Sequence, residues 1–142
     1  GLLQALIIRG LPCDPSDTAN IYGDPVDMEE TARVVYNRIR KGVTGWIAAH
    51  DGVAYSVMEI LADWGVSAPR DYSIAAFDNL PKPDRRLPDL VSIQAPFATM
   101  GAAAVRWVKF RLEHPDQYKQ HTLFPCSVVE GESLGPPPNH VT

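Results

Sequence analysis

The 142-residue sequence has few of the features that mark membrane, secreted or metal-binding proteins. It holds only two cysteines, Cys13 and Cys126, which form neither a disulfide framework nor a CxxC motif. No window contains the roughly 18 to 20 consecutive apolar residues that span a bilayer. No basic stretch followed by an apolar one indicates a signal peptide. These absences predict a cytoplasmic protein with reduced thiols and no contact with a membrane.

Positive charge is also scarce, because 13 Lys and Arg residues stand against 17 Asp and Glu residues, for a net charge of −4. A protein that binds nucleic acid concentrates Lys and Arg on one face to neutralise phosphates. The densest basic group runs from Arg33 to Lys41, along and just after a predicted helix, where cations stabilise the helix dipole. We therefore expect this chain not to contact nucleic acid directly.

The common catalytic motifs are missing as well. The sequence has no HExxH, Walker or GxGxxG motif. Its one GxSxG match, Gly131-Glu132-Ser133-Leu134-Gly135, is followed by three prolines and not by a helical pattern, so it does not form the strand-to-helix turn of a nucleophile elbow. Its four histidines are scattered, and only His50 falls at the end of a predicted strand. We therefore predict no enzyme, no cofactor and no metal site. The alternative of an α/β enzyme would require a nucleophile or a set of metal ligands.

What the sequence does contain is a strand–helix–strand pattern from Thr44 to Asn79. A short apolar run at 45–49 is followed by apolar residues at helical spacing from Val53 to Trp64, and a second apolar run covers 72–77. Two strands joined by a helix must be parallel and make a right-handed crossover. Strands alternating with helices predict an α/β fold, a parallel sheet covered by helices on both faces in three layers.

Further elements are predicted on both sides of this unit. Asp27 is expected to cap a helix that runs to Arg40, with Glu30 in the capping-box position. Pro125 in the last apolar run favours an edge strand. The other predicted elements are a helix at 1–9 ended by Gly10, strands at 19–22 and 90–93, a helix from Phe97 to about His114, and a last strand at 123–129.

Polar pairs follow both central strands, His50-Asp51 and Asp78-Asn79. The carboxyl ends of parallel strands form the edge at which open α/β sheets bind ligands. Asp51 directly precedes the predicted helix, so we interpret it mainly as a helix cap. Asp78 precedes Leu80-Pro81 and no periodic helix, so we interpret it as an acceptor for ligand hydroxyls. Pro25 follows the strand at 19–22 at the same edge, and Phe97 is the aromatic residue placed nearest to a ligand.

Several segments, in order, match one known pattern. They are Ala49-His50-Asp51-Gly52-Val53-Ala54, the segment from Gly65 to Asp71, Ala75-Ala76-Phe77-Asp78-Asn79, the segment from Pro88 to Phe97, Met100-Gly101-Ala102-Ala103-Ala104, and Glu132-Ser133-Leu134-Gly135-Pro136-Pro137. In this order the chain resembles the effector-binding domain of LacI/GalR-family transcriptional regulators. His50 stands where that family has asparagine, Pro25 where it often has an aromatic residue, and Ala95 where it has glutamine.

The resemblance implies the parallel-sheet, three-layer α/β lobe of a periplasmic-binding-protein-like type I fold. Residues 1–95 and 121–135 would form the C-terminal lobe, and 136–142 a tail. Residues 96–116 would form a crossover helix that packs on an N-terminal lobe missing from this chain. Because that partner is missing, we expect the apolar side of this helix to drive dimerisation or swapping, or to pack against the chain's own sheet.

The resemblance also implies a function, which is sensing a sugar-like small-molecule effector in a homodimeric regulator. Operator DNA would be bound through an upstream domain that is not in this chain. The alternative is an extracytoplasmic sugar-binding protein of an ABC transporter. Effector contacts are expected at Asp78, His50, Phe97 and Pro25. The expected dimer interface comprises Val53, Val57, Ile60, Tyr72, Ile74 and Leu80.

Overall fold

A computed structural model describes residues 2–11, 27–117 and 121–138 of the chain. The strand predicted at 19–22 lies outside these residues. The helices are α1 (Leu2–Ile8), α2 (Met28–Ile39), α3 (Asp51–Asp63) and α4 (Phe97–Glu113). The strands are β1 (Gly45–Ile47), β2 (Ser73–Phe77), β3 (Val91–Gln94) and β4 (Ser127–Val129).

The four described strands form one sheet in the order β1-β2-β3-β4. β1, β2 and β3 are parallel, with Ile47 beside Ala75 and Ala75 beside Val91. β4 pairs antiparallel with β3 and lies at the edge, as Pro125 predicts. The predicted βαβ unit is therefore confirmed, and its two strands are neighbours in the sheet. The predicted fold class, an α/β lobe with parallel strands, is confirmed with it.

One face of this sheet carries the core. Ile74 and Ala76 of β2 are buried, while the alternate residues of that strand are half-buried or exposed. Helices α2 and α3 pack against each other, and α3 packs on β2. α2 begins as predicted, because the Asp27 carboxylate accepts a hydrogen bond of 3.0 Å from the Glu30 amide. The buried side chains that the two helices contribute are Ala32, Val35, Ile39, Ala54, Tyr55, Val57, Met58 and Leu61.

The other face of the sheet has less cover. Ile47, Phe77 and Val128 point to this side and are all exposed. Within the described part of the chain, α4 packs extensively against no other helix or strand. Of the three outcomes expected for this helix, packing against its own sheet is not seen in these residues, because the few contacts of α4 bury only Ala103; dimerisation and swapping stay predictions. We call its exposed apolar residues the α4 stripe, which comprises Phe97, Met100, Val105, Val108 and Leu112.

The segment after β4 closes the amino end of the sheet. The Ser133 hydroxyl donates to the Ile74 carbonyl at 2.6 Å and accepts from the Val91 amide at 2.8 Å. The Ser133 carbonyl accepts from the Ile74 amide at 3.0 Å. Gly131 permits this approach, since a β-carbon there would lie 2.5 Å from the Asp89 carbonyl oxygen. Ser133 therefore links β2 to β3 just before the two strands begin their own pairing.

The turn before β2 is held by a carboxylate. Asp71 accepts a hydrogen bond of 2.8 Å from the Ser67 amide and forms an ion pair with Arg70. The hydrogen bond from the Arg70 side chain lowers the pKa of Asp71, and the Ser67 amide adds to this effect. The connection from α3 to β2 is thus fixed by local polar contacts.

Candidate functional site

The carboxyl ends of β1, β2 and β3 meet at one edge of the sheet, because these strands are parallel. His50 lies three residues beyond β1, Asp78 directly follows β2, and Phe97 lies three residues beyond β3. The topology therefore brings three of the four predicted effector contacts to this edge. The fourth, Pro25, lies outside the described residues.

Asp78 occupies an unusual backbone conformation at the end of β2. Its φ angle is +99° and that of Asn79 is +53°, both in the left-handed region that side chains with a β-carbon disfavour. Such residues each cost on the order of 1–3 kcal/mol and persist only where surrounding contacts hold them. The Asp78 amide donates to the Ile93 carbonyl at 3.0 Å, while its side chain is exposed. The chain thus turns sharply here and leaves a solvent-accessible carboxylate at the edge.

Asp51 does not cap α3, which corrects the sequence-based prediction. The residue at the cap position is His50, whose side chain makes no capping hydrogen bond. Asp51 is instead 1% exposed, in the first turn of α3. Its carboxylate accepts from the Leu80 amide at 2.7 Å and from the Ser92 hydroxyl at 2.8 Å. The physical reason is that the fold brings these two donors from other segments to the enclosed carboxylate, where they compete successfully with the amides of its own helix.

Ser92 was not identified by sequence analysis and completes this network. It is 2% exposed and lies beside Ala76 on the core face of the sheet. Its hydroxyl donates to Asp51 and accepts from the Asn79 amide at 3.0 Å. A serine in the apolar run from Leu90 to Ile93 is a usable signal, because a buried hydroxyl requires a hydrogen-bond partner.

His50 and Phe97 complete the edge. His50 is half-buried in an extended conformation, with φ of −158°. Its ring lies close to Gly52, where an added β-carbon would be 3.1 Å from Nδ1. Phe97 is the first residue of α4 and is 57% exposed. The edge therefore offers a carboxylate, an imidazole and an aromatic ring, which suit hydrogen bonding to hydroxyls and stacking on a flat apolar surface.

The predicted dimer interface divides into two groups. Val57, Tyr72 and Ile74 are buried within one copy of the chain. These three offer little surface to a second copy, so a role for them in the interface is not supported by their burial. Val53 and Ile60 are half-buried, and Leu80 is 44% exposed. The latter three remain available to a partner.

A separate cleft of about 430 Å³ lies beside the second half of α3 and includes none of the predicted effector contacts. Two cations that line it, Lys82 and Arg86, are paired with Asp89 and Asp84 at 2.7 and 2.6 Å.

Within residues 2–11, 27–117 and 121–138, no cluster of His, Cys, Asp or Glu side chains could hold a metal ion. None of the helices in those ranges is both long and apolar enough to cross a membrane. The carboxyl edge is therefore the better candidate site.

A mixed sheet with three parallel strands, packed helices and polar side chains at its carboxyl edge has the arrangement with which open α/β folds bind ligands. The model of the periplasmic binding protein-like domain matches residues 8–134, and the chain belongs to this family.

The curated relatives that match are transcriptional regulators, which confirms the resemblance to the LacI/GalR family. The chain is 28% identical over 94 residues to the HTH-type transcriptional regulator MalR of Clostridium butyricum, covering 66% of this chain and 28% of that protein. It is 28% identical over 83 residues to the lactose operon repressor of Rhizobium radiobacter, covering 58% of this chain and 73% of that protein.

Solved structures show the same fold. A LacI-family transcriptional regulator from Enterococcus faecium with bound ribose superposes with a TM-score of 0.71 at 22% identity, covering 94% of this chain and 49% of that chain. The transcriptional regulator CelR in complex with cellobiose gives a TM-score of 0.74 at 19% identity, covering 92% and 39%. The chain thus spans about half or less of either structure.

Proposed function

We propose that this chain is the effector-sensing part of a LacI-type transcriptional regulator and that its carboxyl edge contacts a sugar or sugar derivative. The observation that carries the proposal is Asp78, an exposed carboxylate held at the end of a central parallel strand in a strained turn. A carboxylate can accept hydrogen bonds from two hydroxyls at once, which suits the paired hydroxyls of a sugar. Two relatives in the same fold carry ribose and cellobiose.

The proposed site has three members on the described residues, Asp78, His50 and Phe97, and Pro25 would be the fourth. His50 would donate or accept one hydrogen bond, and Phe97 would pack against an apolar face of the sugar ring. The chemistry needed is binding only. We therefore propose no reaction at this edge, in keeping with relatives that are transcription regulators.

The proposed mechanism couples this edge to a second copy of the chain. In a homodimer, effector binding would favour one arrangement of the lobes, and this arrangement would set the spacing of DNA-binding domains outside the chain. The protein would act in the cytoplasm on operator DNA. Val53, Ile60 and Leu80 are the proposed contacts between copies, because they leave surface exposed on α3 and on the turn after β2.

The test is calorimetric titration of the full-length protein with ribose and with cellobiose, for the wild type and for Asp78→Asn. The substitution keeps the shape of the side chain and its tolerance of a left-handed backbone but removes the charge. A hydrogen bond to a charged group contributes about 1.5–3 kcal/mol, so we expect affinity to fall by about tenfold or more.

The matched control is Asp63→Asn, since Asp63 is an exposed aspartate at the far end of α3. We expect this variant to bind like the wild type. Equal affinity in Asp78→Asn and wild type would remove Asp78 from the site. Failure of the wild type to bind either sugar would contradict this choice of effector.

A further inference from the structure

Asp51 forms one of the most enclosed polar contacts in the described chain, and the effector proposal has no role for it. Its carboxylate is 1% exposed and its hydrogen-bond donors are neutral groups. A buried carboxylate is costly unless it is fully hydrogen-bonded, so its position must be held closely by those donors. Ser92 is enclosed to the same degree, at 2%.

The two residues converge on the turn that carries Asp78. The Asp51 carboxylate accepts from the Leu80 amide at 2.7 Å. The Ser92 hydroxyl accepts from the Asn79 amide at 3.0 Å while it donates to Asp51. Two consecutive backbone amides of the turn are therefore held from the protein interior, directly after the residue with φ of +99°. A strained conformation of this kind persists only because neighbouring groups hold it.

We propose that Asp51, together with Ser92, is a positioning residue for effector binding that holds the 78–80 turn so that the Asp78 carboxylate is presented at the carboxyl edge. This inference rests on the proposed role of Asp78. Asp51 itself is enclosed and does not touch the effector. Without these contacts the turn would relax towards a negative φ, and the Asp78 side chain would leave its binding position.

The hydrogen bonds of Asp51 and Ser92 also connect three elements of the fold. Asp51 belongs to α3, Ser92 to β3, and the amides they hold belong to the end of β2. Leu80, whose amide is held, is also a proposed contact between copies. A change in the Asp78 turn on effector binding would therefore be transmitted to α3 and to Leu80 through fixed hydrogen bonds.

The first test measures the turn without any ligand. Hydrogen exchange is followed by mass spectrometry in a full-length protein, over a peptide that contains Asn79 and Leu80. In Asp51→Asn the Leu80 amide loses a charged acceptor, so we expect exchange there about tenfold faster. In Ser92→Ala the Asn79 amide loses its neutral hydroxyl acceptor, so we expect exchange about fivefold faster.

The matched control is Ser133→Ala. Ser133 is as buried as Ser92 and lies on the same sheet, but it acts at the amino end of β2. We expect this variant to lose global stability while exchange at 79–80 rises no more than it does in the core. Unchanged exchange at 79–80 in Ser92→Ala would overturn the proposal. If Asp51→Asn does not fold, exchange at 79–80 in Ser92→Ala alone decides whether the network holds the turn.

The second test is a double-mutant cycle on binding of ribose and cellobiose. If Asp51 acts through Asp78, Asp51→Asn weakens binding about fivefold or more in the wild-type background and by less than about twofold in the Asp78→Asn background. Equal losses in both backgrounds would overturn the inference, although the Asp78 site would stand. If neither sugar binds the wild type, the proposed effector fails, and the exchange experiment alone decides whether Asp51 holds the turn.

Discussion

Ser92 and Ser133 act at opposite ends of the strand pair β2–β3. Ser92 holds the turn at the carboxyl edge, and Ser133 bridges the Ile74 carbonyl and the Val91 amide at the amino end. Both hydroxyls donate one hydrogen bond and accept another, so each joins two segments that are distant in the sequence. In this sheet, the two serine hydroxyls therefore add hydrogen bonds at both ends of the β2–β3 pair, beyond the residues that the strands pair themselves.

At the residue scale, we predict that Ser133→Ala destabilises the protein by about 1–3 kcal/mol, because it leaves the Ile74 carbonyl and the Val91 amide without this partner. The measurement is urea unfolding followed by circular dichroism. Ser127→Ala is the control, since Ser127 is an exposed serine of β4. We expect the control to stay within about 0.5 kcal/mol of the wild type. Equal midpoints for Ser133→Ala and Ser127→Ala would refute the bridging role.

Asp27 and Asp51 illustrate what sequence can predict at this scale. Both precede or begin a helix, and the sequence predicts both as caps. Asp27 is a cap because its partner, the Glu30 amide, is only three residues away. Asp51 is not, because its partners Leu80 and Ser92 lie 29 and 41 residues away. A local pattern reports local contacts, and only the fold brings the distant donors within reach.

At the element scale, α4 is an amphipathic helix whose apolar side is exposed. Its bounds were predicted almost to the residue, since Pro96 opens it and its spacing is helical. Its partner could not be predicted in the same way, because the pattern shows that a face is apolar and not what covers it. An apolar surface of this kind favours association.

We predict that the 142-residue chain on its own self-associates through the α4 stripe and that Val108→Lys weakens this association by about tenfold or more. Val108 is 61% exposed, so the change should cost the isolated chain little stability. The measurement is sedimentation velocity over a range of concentrations.

Ala102→Lys is the control for this experiment, because it adds the same charge to an exposed position of α4 outside the stripe. We expect Ala102→Lys to associate like the wild type. A chain that is monomeric at all concentrations before substitution would contradict the prediction.

At the scale of the whole molecule, the fold was predictable because several independent patterns agreed. The two apolar runs around α3 required parallel strands, and Pro125 required an edge. The candidate site was predictable in position, since the strand ends determine the edge. Its backbone conformation was not, because Asp and Asn tolerate a positive φ without requiring one, and the turn is held by contacts with Ile93 and Ser92.

The proposed homodimer is also a property of the whole molecule, with Leu80 as one proposed contact between copies. We predict that Leu80→Lys shifts the full-length protein from dimer towards monomer, because a buried interface disfavours an unpaired charge. The substitution leaves the Leu80 amide free to donate to Asp51. The measurement is light scattering coupled to size-exclusion chromatography. Leu134→Lys is the control, since Leu134 is similarly exposed, at 50% against 44%, but lies after β4. An unchanged dimer in Leu80→Lys would place the interface elsewhere.

The position of Ser133 in the sequence affects the timing of folding during synthesis. The Ser133 hydroxyl holds the amino end of the sheet through a hydrogen bond to the Ile74 carbonyl. Ile74 is synthesised 59 residues before Ser133. At about 5–20 residues per second, the ribosome needs roughly 3–12 s to cover this interval. β3 is complete when Gln94 has been added, so for the last 39 residues of this interval (133 − 94) both strands are present without the bridge between their amino ends. The amino end of the nascent sheet therefore stays open until the segment around Ser133 emerges, and until that moment it is exposed to chaperones and proteases.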